Sequence, residues 1–108
     1  MKHRRDLQAE IANALAHPLR IKILEKLRGG PCCVCRIIPH VGAEQSNVSH
    51  HLSILKNAGI VRSQKKGMEV WYEVSDRRIF KILDLINELL AGQMQQNNEL
   101  LSELLKTE

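Results

Sequence analysis

The sequence predicts a mainly α chain with a small β-hairpin, arranged as a winged helix-turn-helix. Three observations predict it. Apolar residues recur at helical spacing from Leu7 to Leu27, again from Val48 to Leu55, and again from Ile79 onward. Ahead of the last of these the period switches to two, with Met68, Val70, Tyr72 and Val74 alternating with Glu69, Trp71 and Glu73. A basic turn, Lys65-Lys66-Gly67, separates that stretch from Ile60–Gln64 and makes the pair a hairpin.

Taken in order, Leu7, Ile11, Ala14 and Leu15 stripe a first helix at about 5–16. Leu19, Ile23, Leu24 and Leu27 stripe a second. Pro18 suits its first turn, where a missing N–H costs nothing, and Gly29-Gly30 ends it. A short helix is expected from Pro31 to about Ile38, stopped by Pro39. The next helix, at about 44–58, places Val48, Leu52 and Leu55 on one face, with Gly59 as its C-cap. Gln45, Ser46, Ser49, His50 and Ser53 lie toward the other face. The hairpin occupies about 60–74. Ser75 is expected to cap a long last helix, 76–105, carrying Ile79, Ile82, Leu83, Ile86, Leu89 and Leu90 on one side. Gly92 is a kink point, and Leu100, Leu101, Leu104 and Leu105 resume the stripe after the polar run Gln93–Asn98.

The 108 residues suit a single domain, 1–108, and 44% apolar with 26% charged residues is a globular composition. Aromatics at 3% leave a core of Leu and Ile, which favours helices. No apolar run approaches the roughly 20 residues that span a bilayer, and Met1–Asp6 leads into no signal-peptide pattern, so a cytoplasmic location is expected. A net charge of +4 permits nucleic-acid binding without demanding it.

The order short helix, turn, polar-faced helix, basic hairpin supplies the stronger argument. The second helix of such a pair enters the major groove and presents its N-terminal side chains to base edges. Here those are Gln45, Ser46, Asn47, Ser49 and His50. Gln and Asn can pair with adenine through two hydrogen bonds. Lys56, Arg62, Lys65 and Lys66 would contact phosphates, which fix register without reading sequence. The first and last stripes exceed what one small core can bury. Pairing them across a twofold axis predicts a homodimer built on the N- and C-terminal helices and an inverted-repeat operator, unless the turns beyond Gly92 fray.

The three cysteines, Cys32, Cys33 and Cys35, fall within four positions, too close to staple distant parts of a fold. In a reducing compartment they point to metal, metalloid or redox chemistry. On a regular helix they would sit at about 0°, 100° and 300°, with Cys32 and Cys35 sharing a face and Cys33 turned away. Three thiolates could then grasp one ion only by deforming the helix start, where the N–H groups lack helical partners and the dipole favours thiolate. Such an ion would bind the DNA-incompetent state better and weaken operator binding by the same factor. Among the histidines, His17 is expected to act as a local cap or core contact, His51 to be structural, and His3 to be exposed.

The segments LAHPLRIKILEKL, CVC, EQSNVSHHLSILKNAGIV and KKGMEVWYEVS resemble the ArsR/SmtB family of metal-sensing repressors, over about Ile11 to Ile86. The pattern Ser49, His51, Leu52, Leu55, Gly59, Ile60 is the strongest piece. The resemblance implies a homodimeric winged-helix repressor that leaves its operator on binding an inducer. The family's thiol-type sensors carry Cys-x-Cys at this helix, matched by Cys33-Val34-Cys35, and bind As(III), Sb(III) or soft divalent ions such as Cd and Pb. Where some use a third cysteine one turn later, this chain has Ile38, leaving Cys32 as substitute. A three-thiolate As(III) or Sb(III) site on Cys32, Cys33 and Cys35 is therefore the leading expectation. Relatives that sense zinc or nickel through the last helix use Asp, His and Glu ligands there, a set this histidine-free helix does not match. Glu44 stands where the family often has a capping serine, and His50 where arginine is frequent.

The alternatives are a thiol-based redox repressor of the same fold, zinc bound by cysteines with His40 or another histidine, a constitutive DNA-binding adaptor, and a small thiol enzyme. Against the enzyme, there is no Cys-x-x-Cys after a βαβ pattern and no Gly-rich phosphate loop.

Overall fold

His17 and Pro18 set the start of the helical core. In the computed structural model, which describes residues 1–106, α1 (Arg4–Leu15) ends just before them and α2 (Pro18–Leu27) begins on Pro18. The His17 ring accepts the Leu19 N–H at 3.0 Å through Nδ1, the capping role expected of it. Cys32–Cys33 form a two-residue strand, β1, followed by α3 (Val34–Val41) and α4 (Gln45–Asn57). The hairpin is β2 (Val61–Lys66) and β3 (Glu69–Val74), and α5 (Arg78–Lys106) completes the chain. Among the described residues no helix is long and apolar enough to cross a membrane.

Four boundaries differ from those expected. The segment before α3 is extended, not helical: Cys33 has φ −67° and ψ 141°, and β1 pairs with β3 through Cys32↔Tyr72 and Cys33↔Trp71. The wing is thus a three-stranded antiparallel sheet in the order β1-β3-β2. Pro39 lies inside α3 instead of stopping it. Ile37 and Val41, one turn apart on the buried face, hold the helix past a proline that removes a single backbone bond. Ser75 does not cap α5; Asp76 does, its Oδ1 accepting the Arg78 N–H at 2.9 Å. The Arg78 side chain on the same carboxylate, with that N–H, holds the Asp76 pKa down to about 2. Finally, α5 continues through Gly92 in one piece.

The close of α4 fits its sequence well. Gly59 at φ 77° lets its N–H reach Lys56 O and that of Ile60 reach Leu55 O, both at 2.9 Å, the paired bonds of a Schellman end. At the wing tip Gly67, at φ 62°, takes the first central position of a two-residue turn between Lys66 and Glu69. Lys65 and Lys66 therefore belong to β2, paired with Val70 and Glu69.

Ile23, Leu24 and Leu27 of α2, Ile37 of α3, Val48, Leu52 and Leu55 of α4 and Val61 of β2 are fully buried. Each such side chain gains about 1.5–3 kcal/mol over an exposed one. From α5 only Ile79, Phe80 and Leu83 join this core. Leu89 stays 68% exposed, and Leu7 and Ile11 of α1 48% and 45%. The apolar stripes at both ends of the chain are open.

Candidate thiol site and nucleic-acid interface

Cys33 is the N-cap of α3, and this explains the arrangement of the thiols. An N-cap side chain folds back over the first helical turn. The Cys33 sulfur accordingly accepts the Cys35 N–H at 3.2 Å and meets the Cys35 sulfur, with which it forms a disulfide. Cys32, the preceding residue of an extended strand, points the opposite way. It is 7% exposed, packs in the hydrophobic core and is the free cysteine of the three. Cys33 and Cys35 are paired and Cys32 is set apart, so the three sulfurs do not take the positions that a regular helix would give them. The helical angles fail because Cys32 and Cys33 precede the helix.

A carboxylate lies beside the paired sulfurs. Glu69 Oε2 lies 3.2 Å from Cys33 Sγ and 3.4 Å from Cys35 Sγ, and the three donor atoms fall within 4.8 Å of one another. When the cysteines are reduced, each thiol can donate to this oxygen; as a disulfide neither has a proton to give. Glu69 is not among the site residues that the sequence suggests. Only the pairing of β1 with β3, set by contacts across more than thirty residues, brings it there.

The predicted DNA-facing residues Gln45, Ser46, Asn47, Ser49 and His50 are all exposed on the first two turns of α4. Gln45 and Ser49, one turn apart, also face the thiols. Together with Cys33, Cys35, Met68 and Glu69 they line a cleft of about 470 Å³ between α3, α4 and the wing. Lys56 Nζ donates to Ser63 Oγ at 2.8 Å and ties α4 to the wing. Arg62 pairs across the hairpin with Glu73 at 2.8 Å, and the Lys66 ammonium sits 4.8 Å above the Trp71 ring. Lys65 is exposed.

Beneath the same helix His51 is buried against α2, as its structural reading requires. Its Nδ1 lies 3.1 Å from Arg20 Nη1, and its ring packs 4.2 Å from that of His17. Burial, then the charges of His17, Arg20 and His50, lower its pKa below 6.5.

An exposed polar helix start beside a sheet-supported wing, on a small helical core, defines a winged-helix DNA-binding transcriptional regulator. A family model for bacterial regulatory proteins of the arsR family matches residues 17–63. The chain is 44% identical over 82 residues to the HTH-type transcriptional regulator MJ1325 of Methanocaldococcus jannaschii, across 75% of this chain and 92% of that one. The crystal structure of Rv0081 from M. tuberculosis matches with a TM-score of 0.79 at 32% identity, covering 90% of this chain and 98% of that one. The homodimeric winged helix-turn-helix DNA-binding domain of Mb0332 from Mycobacterium bovis shares the fold, with a TM-score of 0.76 at 23% identity, covering 89% and 93%. The chain belongs to the arsR family; it is a transcriptional regulator and not an enzyme.

Proposed function

We propose that this chain is a homodimeric, cytoplasmic repressor that reads an inverted-repeat operator and releases it when Cys33 and Cys35 bind a thiophilic ion. As(III), Sb(III) and soft divalent cations are the inducer class. The cleft supports this reading: two sulfurs in mutual contact share one lined space with Gln45 and Ser49 of α4 and with the wing. Two sulfurs two residues apart form a compact soft-donor pair, which fits thiophilic ions.

Gln45, Ser46, Asn47, Ser49 and His50 would meet base edges, while Lys56, Arg62, Lys65 and Lys66 would meet phosphates. The open stripes of α1 and α5 would bury each other across a twofold axis, and the Mb0332 domain, which shares this fold, is itself homodimeric. Cys33 couples input to output. Its sulfur accepts the Cys35 N–H in the first turn of α3, so drawing that sulfur into a chelate takes the cap from the helix that braces α4. Weaker DNA binding then follows by linkage, and a switch from 1:99 to 99:1 needs about 5.5 kcal/mol of differential affinity.

A second reading, oxidation of Cys33 and Cys35 as the signal, is favoured by their contact as a disulfide. Arsenite titrated into a fluorescent operator complex with reduced thiols tests the first. Release is expected for the wild type and lost in Cys33→Ser and Cys35→Ser. A complex that survives excess arsenite sinks it, and release by oxidant alone supports the second.

A further inference from the structure

We propose that Glu69 is the third ligand of the thiol site, making it a two-sulfur, one-oxygen site suited to a soft divalent cation of the cadmium class. The inference rests on the thiol reading above and adds the wing to it. Three observations carry it. The Glu69 carboxylate faces both sulfurs, at 3.2 and 3.4 Å. Among the described residues no basic side chain forms an ion pair with it. The cation nearest in register, Lys66 on the paired strand, is turned onto the Trp71 ring.

In the reduced protein, two thiolates and an unneutralised carboxylate held as close as the 4.8 Å that gathers these three donors would repel one another. Once a thiol reductant, itself oxidised to a disulfide, has opened the Cys33–Cys35 bond to two thiols, a divalent cation relieves that repulsion, and each thiol loses its proton to solvent as its sulfur coordinates. Sulfur and carboxylate together suit zinc- and cadmium-like ions, whereas arsenite can exchange two of its hydroxyls for the two sulfurs, releasing two waters, and keep its third hydroxyl without Glu69. Ligation through Glu69 also joins α3 to β3 next to the wing turn. A bound cation would then hold the wing, and not the first turn of α3 alone, in the state that does not fit DNA.

The test is cadmium titration of the reduced full-length protein, read by thiolate-to-metal absorption in the ultraviolet. Wild type is expected to bind one cadmium per protomer. Glu69→Gln should keep the absorption per bound ion, because both sulfurs remain, while its affinity falls roughly tenfold or more, the scale on which even outer partners of ligands act. Glu73→Gln removes the same charge from the same strand away from the sulfurs and should bind as wild type. Equal affinity in Glu69→Gln and wild type, or equal weakening in Glu69→Gln and Glu73→Gln, overturns the assignment of Glu69. Absorption that persists in Cys33→Ser or Cys35→Ser overturns the thiol reading itself. Arsenite should bind Glu69→Gln and wild type alike, and a matching tenfold loss for arsenite would overturn the cation selectivity.

Discussion

Nη1 of Arg20 lies 3.1 Å from Nδ1 of His51, joining α2 to the underside of α4. Arginine has only donors, so His51 Nδ1 accepts and its proton sits on Nε2. The same guanidinium donates through Nε to Ala14 O at 2.6 Å and through Nη2 to Asn13 O at 3.2 Å, closing the end of α1. One side chain thus fastens α1, α2 and α4 together.

Stability should fall in mild acid. The folded pKa of His51 is lowered below 6.5, so the unfolded chain takes up its proton first as pH drops. The contribution of neutral His51 is complete above that value and is lost as pH falls through it toward the folded pKa. Urea midpoints measured at pH 7.5 and 5.5 should differ in this direction for the wild type. The difference should shrink in His51→Gln.

Arg20→Ala should cost about 3 kcal/mol, since it leaves two carbonyls and the His51 ring without a charged donor. Arg20→Lys should recover only part of that, because an ammonium cannot reproduce the planar fork. Chemical denaturation of both variants checks the order.

The three cysteine-to-serine variants should separate by role. Cys32→Ser buries a hydroxyl in the core and should lower stability by about 1–3 kcal/mol while leaving inducer release intact. Cys33→Ser and Cys35→Ser should lose release and keep most of their stability. Loss of release in Cys32→Ser at full folding would restore the three-thiolate site.

On DNA, Gln45→Ala should cost about 1–3 kcal/mol at the base pair it reads and relax preference there. Lys65→Ala should weaken all sequences alike and reduce the salt slope by about one. Fluorescence anisotropy at several salt concentrations distinguishes the two patterns.

If α5 pairs across a twofold axis as proposed, Leu89→Glu should give a monomer, because a carboxylate would enter the apolar stripe of α5. Sedimentation velocity at micromolar concentration reads this directly. A wild-type monomer would remove the twofold arrangement altogether.

The helices were legible because their buried faces repeat at 3.6 residues, and the turn at Gly59 because only a few residues close a helix that way. The site was legible in part. Cys33-Val34-Cys35 is visible as a motif, but the direction of each sulfur depends on where α3 begins, and two residues of strand shift that start. Cys32 looks interchangeable with its neighbours in sequence, yet alternation along β1 sends it into the core. Glu69 carries no local signal at all, since its place is set by a strand pairing that no short window contains. Pro39 misleads for a related reason: burial of Ile37 and Val41 outweighs one missing backbone bond.

Because the Cys33 sulfur is the cap of α3, whatever draws on that sulfur draws on the fold as well. A change of partner at this one atom, whether by ion or by oxidation, would register first as a loosened start of α3.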